Sequence, residues 1–378
     1  MGAFLERPKT EKYNESGEGN SLRFGLTSMQ GWRVEQEDAH SAVVGLPHGM
    51  KDWSFFAVFD GHAGAFVSAH SSQRLLDFIV TNADFRGGLD APPEEWRPTM
   101  DDVLKGVRTG FLELDKDIRN LPEVATGEDR SGSTAIVVFV TPDSFIFGNC
   151  GDSRGLVARP TCVSFHTEDH KPTNPEERDR ITKAGGQVMI QRVNGSLAVS
   201  RALGDFDYKM NQTIGPCEQL VSPEPEVTVV ARTEEDQFIV LACDGIYDVM
   251  TNEDVADFVR YHMQITNNIT EICNKIVDTC LHKGSRDNMS IVIVALPGAP
   301  TLNEDVVKAD QECNAQLAAH VKKEFDEQPD IETVSIVHAI AAKEVEIEGL
   351  PPGGGIHTKY SFIDDLLNSL KNPPSDES

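Results

Sequence analysis

The sequence has no long hydrophobic run. No apolar stretch in its 378 residues approaches the roughly 20 residues that a membrane-spanning helix needs. The longest apolar runs, 55–59 and 291–296, have the length of β-strands, and the opening segment MGAFLERPKT lacks the apolar region of a signal peptide. We therefore expect an intracellular protein without a transmembrane segment, cytoplasmic and with nuclear residence left open.

Cysteine is scarce, and its spacing indicates no paired framework. The 7 cysteines are odd in number and form no C-x-x-C motif. Three of them, Cys150, Cys243 and Cys280, lie inside apolar runs, where a free thiol behaves as a small hydrophobic group. This pattern argues against a disulfide scaffold and against a cysteine-rich zinc site, and it predicts a reducing compartment.

Basic residues are few compared with acidic ones. The chain has 34 Lys and Arg against 61 Asp and Glu, a formal net charge of −27. Such a surface repels polyphosphates, which argues against nucleic-acid binding and against anionic membranes. The acidic excess is compatible with cation binding or simply with a solvated acidic surface, and the positions of the acids must decide between these two interpretations.

Short runs rich in Val, Ile and Phe predict a β-rich core up to residue 296. The predicted strands are 53–60, 133–140, 144–150, 226–231, 237–244 and 289–296. Thr141-Pro142-Asp143 separates two of them and predicts an antiparallel hairpin. The predicted helices are 65–83, 99–120, 175–184, 252–263 and 269–282. Asn174 is the predicted N-cap of the third helix, and Glu177 completes a capping box.

The character of the sequence changes at Thr301. Strand signals largely disappear, Ala, Glu, Lys and Gln dominate, and acidic residues outnumber lysines. Helices are predicted at 303–325, 331–346 and 361–370. The predicted organisation is an N-terminal extension (1–21), a main domain (22–297), a helical C-terminal domain (298–371) and a disordered tail (372–378).

Two predicted strands end in an aspartate followed by glycine, at Asp60-Gly61-His62 and at Asp244-Gly245. An aspartate in this position places a carboxylate at the rim of a rigid sheet, while glycine lets the backbone turn and a carbonyl approach closely. Each Asp-Gly pair alone is more often an ordinary turn. Further acids near strand ends lie at Glu37, Asp152 and Asp287.

Several acids at converging sheet edges need a counter-charge. If Glu37, Asp60, Asp244 and Asp287 share one pocket, their mutual repulsion raises their pKa values unless cations neutralise them. An all-oxygen donor set favours Mg²⁺ or Mn²⁺, and the sequence offers no His/Cys cluster with zinc spacing.

Seven segments of the sequence form an ordered series, at 33–40, 59–64, 131–135, 149–154, 194–205, 241–245 and 284–288. They resemble, in order, the motif series of the metal-dependent type 2C serine/threonine protein phosphatases. The resemblance covers about residues 22–296, and the opening MGAFLERPKTEK and the helical tail are similar to the metazoan alpha and beta members. Tyr247 stands where that family often has tryptophan.

The resemblance implies a fold of the α/β (α+β) class, a sandwich of two antiparallel β-sheets flanked by helices, with an all-α C-terminal appendage. It also implies a binuclear Mn²⁺ or Mg²⁺ centre in which Asp60 bridges both ions. The implied ligands are Glu37, Asp60, the Gly61 carbonyl, Asp244 and Asp287. Asp152 and Asp248, together with Asp244, match a weaker third metal site.

The same resemblance implies the reaction, which is hydrolysis of phosphoserine and phosphothreonine in proteins by a metal-activated water without a phosphoenzyme. Arg33 matches a phosphate-binding arginine, and His62 matches the general acid for the leaving oxygen. Asp38 is expected to orient a metal-bound water or His62, and Thr134 to pack near the site. Segment 166–186 matches a flap beside the cleft that discriminates protein substrates.

Two other function classes remain as alternatives. A phosphoprotein-binding scaffold with little or no catalysis could use the helical tail, although the intact acidic set speaks against it. A two-metal nuclease should carry a basic stripe, which the charge of −27 disfavours. We expect a monomer whose partners are phosphorylated proteins. Gly2 could accept myristate, but Glu6 stands where the modification pattern has Ser or Thr.

Overall fold

The computed structural model describes residues 4–87 and 97–372. Gly2 and residues 373–378 of the predicted tail therefore lie outside the described residues.

The strands of the described chain are short, apart from the first two. In chain order they are β1 (Phe4–Gly19), β2 (Leu22–Arg33), β3 (Ala39–Val44), β4 (Ser54–Phe59), β5 (Gly61–His62), β6 (Gly132–Ser133), β7 (Ala135–Val140), β8 (Ser144–Cys150), β9 (Arg154–Ala158), β10 (Val163–His166), β11 (Val188–Met189), β12 (Arg192–Val193), β13 (Leu203–Gly204), β14 (Glu226–Ala231), β15 (Phe238–Ala242) and β16 (Met289–Ala295).

Two antiparallel sheets form a sandwich. One has six strands in the order β1-β2-β16-β15-β9-β10, and the other has five in the order β14-β8-β7-β4-β3. β7 and β8 form the hairpin predicted from Thr141-Pro142-Asp143. A small sheet of order β13-β6-β5 and the hairpin β11-β12 lie outside the sandwich. The predicted sandwich fold is confirmed.

The central strands of both sheets are buried on both faces, which explains why they appear in the sequence as continuous apolar runs rather than as alternating patterns. On β4, Phe56 and Val58 pack into the core between the sheets together with Ile239 and Val292 of the other sheet. Their neighbours on β4, including Phe55, face a layer of helices. Burying one such side chain contributes about 1.5–3 kcal/mol.

Helices cover the outer faces of both sheets. Helices α1 and α2 share a core with the five-stranded sheet, and helices α5 to α7 share one with the six-stranded sheet. The helices of the main domain are α1 (Phe66–Thr81), α2 (Met100–Arg119), α3 (Pro122–Ala125), α4 (Pro175–Lys183), α5 (Asp244–Tyr247), α6 (Asn252–Met263) and α7 (Ile269–His282).

Capping boxes start two of these helices, and a predicted third one is absent. Thr99 is the N-cap of α2 and Thr251 is the N-cap of α6. Each threonine side chain accepts a hydrogen bond from the backbone N–H of the aspartate three residues on, whose carboxylate accepts one from the threonine N–H. The capping box predicted for α4 is wrong, because the side chain of Asn174 makes no cap bond. Glu177 instead accepts hydrogen bonds from the guanidinium groups of Arg180 and Arg201, each of which brings a full positive charge that a backbone amide lacks.

The C-terminal segment has a hydrophobic core of its own, which includes Leu317, Ile336 and Ile363. Its helices are α8 (Glu304–Glu327), α9 (Thr333–Ala341) and α10 (Tyr360–Lys371). It docks on the main domain through Asp310, which accepts a hydrogen bond from Tyr261 of α6 at 3.0 Å and is held by Lys359 of the same segment at 2.6 Å. The domain bounds stay predictions, although residues 4–19, predicted as an extension, form the edge strand of the six-stranded sheet.

Candidate metal centre and active site

Acidic residues from both sheets meet at one end of the sandwich. Asp60 follows β4 of the five-stranded sheet, and Asp244 follows β15 of the six-stranded sheet. Asp152 lies on the short connection between β8 and β9, where the chain crosses from one sheet to the other. Carboxylate oxygens of these three aspartates lie within 4.8 Å of one another. Of the acids singled out near strand ends in the sequence, Asp60, Asp152 and Asp244 therefore lie together.

Glycine permits this closeness on the Asp60 side. A Cβ atom at Gly61 would collide with the carbonyl oxygen of Glu37 and meet the hydroxyl of Ser68 at 2.8 Å. Because residue 61 is glycine, the Glu37 loop can pack directly against the end of β4. The Glu37 carboxylate is then held by the amide N–H of Gly64, which donates to Oε1 at 2.6 Å.

Negative charge exceeds positive charge in the cluster. Burial raises the pKa of Asp60 and of Asp244 well above the usual range, and the neighbouring carboxylates raise both further. Burial also raises the pKa of Asp38 to about 7, although its Oδ2 accepts a hydrogen bond from Ser290 at 2.6 Å. Its other oxygen, Oδ1, is buried without a hydrogen-bond partner.

These observations fit divalent cations. A carboxylate oxygen of Asp38 lies within 4.8 Å of a carboxylate oxygen of Asp60 and of the Cys243 sulfur, so Asp38 adds a further oxygen donor beside the acids. Hard oxygen donors in this number are the ligands that Mg²⁺ and Mn²⁺ prefer. The chemistry of the donor set therefore suits the hard cations expected from the sequence.

Arg33 stands at the edge of the cluster, at the end of β2. Its Nη2 donates to Oδ2 of Asp287 at 2.6 Å, and about a third of its side chain is exposed. Burial lowers the pKa of Arg33, but the charge of Asp287 and this hydrogen bond outweigh burial and raise it. The structure thus brings the predicted phosphate-binding residue into contact with a predicted metal ligand.

Thr134 lies beside Asp60, as predicted. Its backbone N–H donates to the Asp60 carbonyl at 2.9 Å, and its hydroxyl accepts from the Asp60 N–H at 3.3 Å. The same hydroxyl contacts Ser153 at 2.7 Å. Asp248, by contrast, is exposed at the C-terminal end of α5.

Family models match nearly the whole chain. The model for protein phosphatase 2C matches residues 22–289, and the model for the protein serine/threonine phosphatase 2C C-terminal domain matches residues 290–368. The chain belongs to the protein phosphatase 2C family. The family predicted from the motif series is therefore confirmed.

Relatives resemble this phosphatase over its full length. Protein phosphatase 1A of Mus musculus is 52% identical over 383 residues, covering 100% of this chain and 98% of the relative. Protein phosphatase 1B of Mus musculus is 52% identical over 377 residues, covering 100% and 96%. A solved phosphatase from Toxoplasma gondii is 28% identical with a TM-score of 0.62, covering 76% of this chain and 96% of that one.

A second solved structure, a sex determining protein of C. elegans, is 27% identical with a TM-score of 0.62 and covers 77% of this chain and 68% of that one. The chain is thus a metal-dependent serine/threonine protein phosphatase, as predicted, and nothing supports the scaffold alternative. Within the described residues, no helix combines the length and apolar character needed to cross a membrane.

Three residues of this phosphatase were missed by the sequence analysis. Lys171, in the predicted flap, forms an ion pair with Asp152. Asn288 accepts from the Glu37 amide at 3.0 Å and donates to the carbonyls of residues 30 and 35, which fixes the loop that carries Glu37. Asp205 contacts the imidazole of His62 at 2.7 Å. Each lies far in sequence from its partner, so no local pattern indicates the contact.

Proposed function

We propose that the acidic cluster holds two divalent cations, Mn²⁺ or Mg²⁺, through Glu37, Asp60, the Gly61 carbonyl, Asp244 and Asp287. Asp60 would be the ligand that both ions share. The observation that supports this proposal best is the convergence of carboxylate oxygens from both sheets into a site where burial raises their pKa values. When bound, such ions supply positive charge and lower the pKa of a coordinated water.

Arg33 is the proposed phosphate-binding residue. Its planar guanidinium offers several N–H donors. Among the described residues, Asp287 accepts a hydrogen bond from one terminal nitrogen, Nη2, so other N–H groups can bind phosphate. The partly exposed side chain can reach an incoming phosphate while Asp287 holds it at the rim of the cluster.

His62 is the proposed proton donor to the seryl or threonyl oxygen that leaves. It directly follows Gly61, and the charges of Asp152 and Glu37 both act on its ring. Burial lowers the pKa of His62, but the charge of Asp205 and their hydrogen bond outweigh burial and raise it, which favours the protonated ring that an acid needs. Asp38 is the proposed orienting carboxylate, because Ser290 fixes one of its oxygens and the carboxylate lies beside that of Asp60.

Direct attack by water, without a phosphoenzyme, is the proposed route, because the thiol at the cluster is a poor nucleophile. Among the described residues, the thiol in contact with the acids is that of Cys243. Its burial and the neighbouring carboxylates raise the pKa of Cys243 well above the usual range, so the sulfur stays protonated and is a poor nucleophile.

A weaker third ion is proposed at Asp152 and Asp248, next to Asp244. Asp152 is almost fully buried, and its present partner is the ammonium group of Lys171. Lys171 therefore supplies part of the positive charge at this position, which is consistent with loose binding of a further cation.

The proposal is tested with the Asp60→Asn variant. We expect tight Mn²⁺ binding, measured by calorimetry, to be lost and turnover of a phosphothreonine peptide to fall on the order of 10³-fold or more. Asp143→Asn, at the exposed β7–β8 turn, is the matched control and should bind Mn²⁺ normally. A folded Asp60→Asn protein with wild-type Mn²⁺ binding and turnover would refute the binuclear site.

The substrates are proposed to be phosphorylated proteins, selected in part by segment 166–186. An intracellular location is supported by the seven cysteines, which are all free. The monomeric state stays a prediction that light scattering of the purified chain tests. Gly2 myristoylation likewise stays a prediction, testable by mass spectrometry of protein isolated from cells.

A further inference from the structure

The small sheet β13-β6-β5 brings together two side chains that are distant in sequence. His62 on β5 lies opposite Gly132 on β6, and Gly204 on β13 lies opposite the same glycine from the other side. Asp205 follows β13 directly. The imidazole of His62 and the carboxylate of Asp205 therefore meet across Gly132, with 2.7 Å between Nε2 and Oδ2.

The contact depends on the absence of a side chain at Gly132. A Cβ atom there would collide with the Asp205 carboxylate and would lie only 2.5 Å from Nε2 of His62. Any larger residue at 132 would push the two partners apart. The middle strand of this sheet thus leaves the space in which the pair forms.

Asp205 is held firmly in an unfavourable backbone conformation. Its φ of 51° is in the left-handed region, which non-glycine residues adopt rarely. Its N–H donates to the Ser131 carbonyl at 3.2 Å. The preceding Gly204 N–H donates to Asp115 at 2.8 Å, and Asp115 forms a buried ion pair with Lys209 at 2.7 Å. Strain that the surroundings enforce in this way is common at functional sites.

The other ring nitrogen of His62 is available. The hydrogen bond to Asp205 uses Nε2, which leaves Nδ1 for another partner, and 27% of the side chain is exposed. Asp205 has only 5% of its side chain exposed, so its carboxylate can act on substrate only through His62.

We propose that Asp205 is a positioning residue. Its carboxylate accepts the Nε2–H of His62, and the ring thereby presents Nδ1 to the leaving oxygen. This inference rests on the proposed role of His62 as the proton donor. As the attacking water forms the new P–O bond, the old P–O bond breaks and its electron pair stays on the seryl or threonyl oxygen. That oxygen takes the Nδ1 proton, and the ring keeps its Nε2 proton in the bond to Asp205.

The kinetic test compares two substrates in Asp205→Asn. Turnover of a phosphothreonine peptide should fall on the order of 10²-fold or more, because its leaving oxygen needs a proton. Turnover of p-nitrophenyl phosphate should change little, since p-nitrophenolate leaves without one, and KM should change little for both. Gly132→Ala should show the same substrate-dependent loss with the carboxylate intact. Asp207→Asn, an exposed neighbour paired with Arg130, should behave as wild type.

The direct test is the imidazole ¹⁵N spectrum at one alkaline pH, with the His62 signals assigned from their loss in His62→Gln. We expect the Nε2–H tautomer in the wild type and a shift away from it in Asp205→Asn. An unchanged tautomer in Asp205→Asn, or equal losses on both substrates in a folded variant, would overturn the inference and leave Asp205 as a structural link between strands. Equal losses on both substrates in His62→Gln would instead overturn the proposed acid role itself.

Discussion

The ion-paired cluster of Glu177 allows a stability prediction whose size can be worked out. The carboxylate has 4% of its side chain exposed and accepts hydrogen bonds from Arg180 at 2.8 Å and from Arg201 at 2.8 and 3.0 Å. Burial raises the pKa of Glu177, but these two arginines outweigh burial and lower it from 4.5 to about 2. At about 1.4 kcal/mol for each pKa unit, ionised Glu177 stabilises the fold by about 3 kcal/mol.

The sign of the pH dependence follows from the lowered pKa. Above pH 4.5, the ordinary pKa of the carboxyl in the unfolded chain, the stabilisation is fully present, and it is lost as the pH falls toward 2. Glu177→Gln removes the charge and keeps the shape. We therefore expect its free energy of unfolding to lie about 3 kcal/mol below the wild type at pH 7 and about 1–2 kcal/mol below it at pH 3.

Urea unfolding followed by circular dichroism at both pH values measures this difference. Asp179→Asn is the control on the same helix, because Asp179 and its partner Lys183 are exposed and such pairs contribute little. A wild-type advantage over Glu177→Gln that is the same at pH 3 and pH 7 would contradict the reasoning, because a loss of packing does not depend on this titration. No difference at pH 7 would show that burial cancels the ion pairs.

Three further outcomes are expected. Arg33→Ala should raise KM for phosphorylated peptides on the order of 10-fold or more, because charged hydrogen bonds to phosphate are lost. Arg33→Lys should be intermediate. An unchanged KM would show that Arg33 does not bind phosphate. Asp152→Ala should keep the tight Mn²⁺ sites and lower kcat if it holds a third ion, whereas a lowered thermal midpoint with normal kcat would make it a turn residue. Deleting residues 301–378 should leave metal-dependent hydrolysis of p-nitrophenyl phosphate largely intact. It should lower the thermal midpoint, since the stack of His282 on Tyr360 is lost. Complete loss of activity in a folded truncation would make the appendage part of the catalytic fold.

Strands buried on both faces could be predicted from sequence because they need uninterrupted apolar residues. β4, β7 and β16 all have this property, and the acids at strand ends could then be placed on a common edge. β1 could not be predicted, because its residues are mostly exposed and polar and its strand conformation comes from pairing with β2. Propensity is a poor guide on such an edge strand.

Contacts that depend on the folded chain could not be predicted. Asp205 looks like an ordinary turn residue in the sequence, and its contact with His62 depends on two strands meeting on either side of β6. Lys171 is a basic residue in a polar loop until the flap brings it to Asp152. The capping box at Asn174 was predicted wrongly because Arg201, from outside the helix, takes the carboxylate.

The acidic cluster lies where the ends of the two sheets meet. Asp60 belongs to the end of one sheet and Asp244 to the end of the other, so a cation bound by both would link the two sheets. Without such a cation, repulsion between the two carboxylates would weaken the contact between the sheet ends. Binding to the folded chain alone adds about 2.7 kcal/mol of stability at a concentration 100 times Kd. The melting temperature of this protein should therefore report metal occupancy, and chelation should loosen the catalytic end of the sandwich before the opposite end.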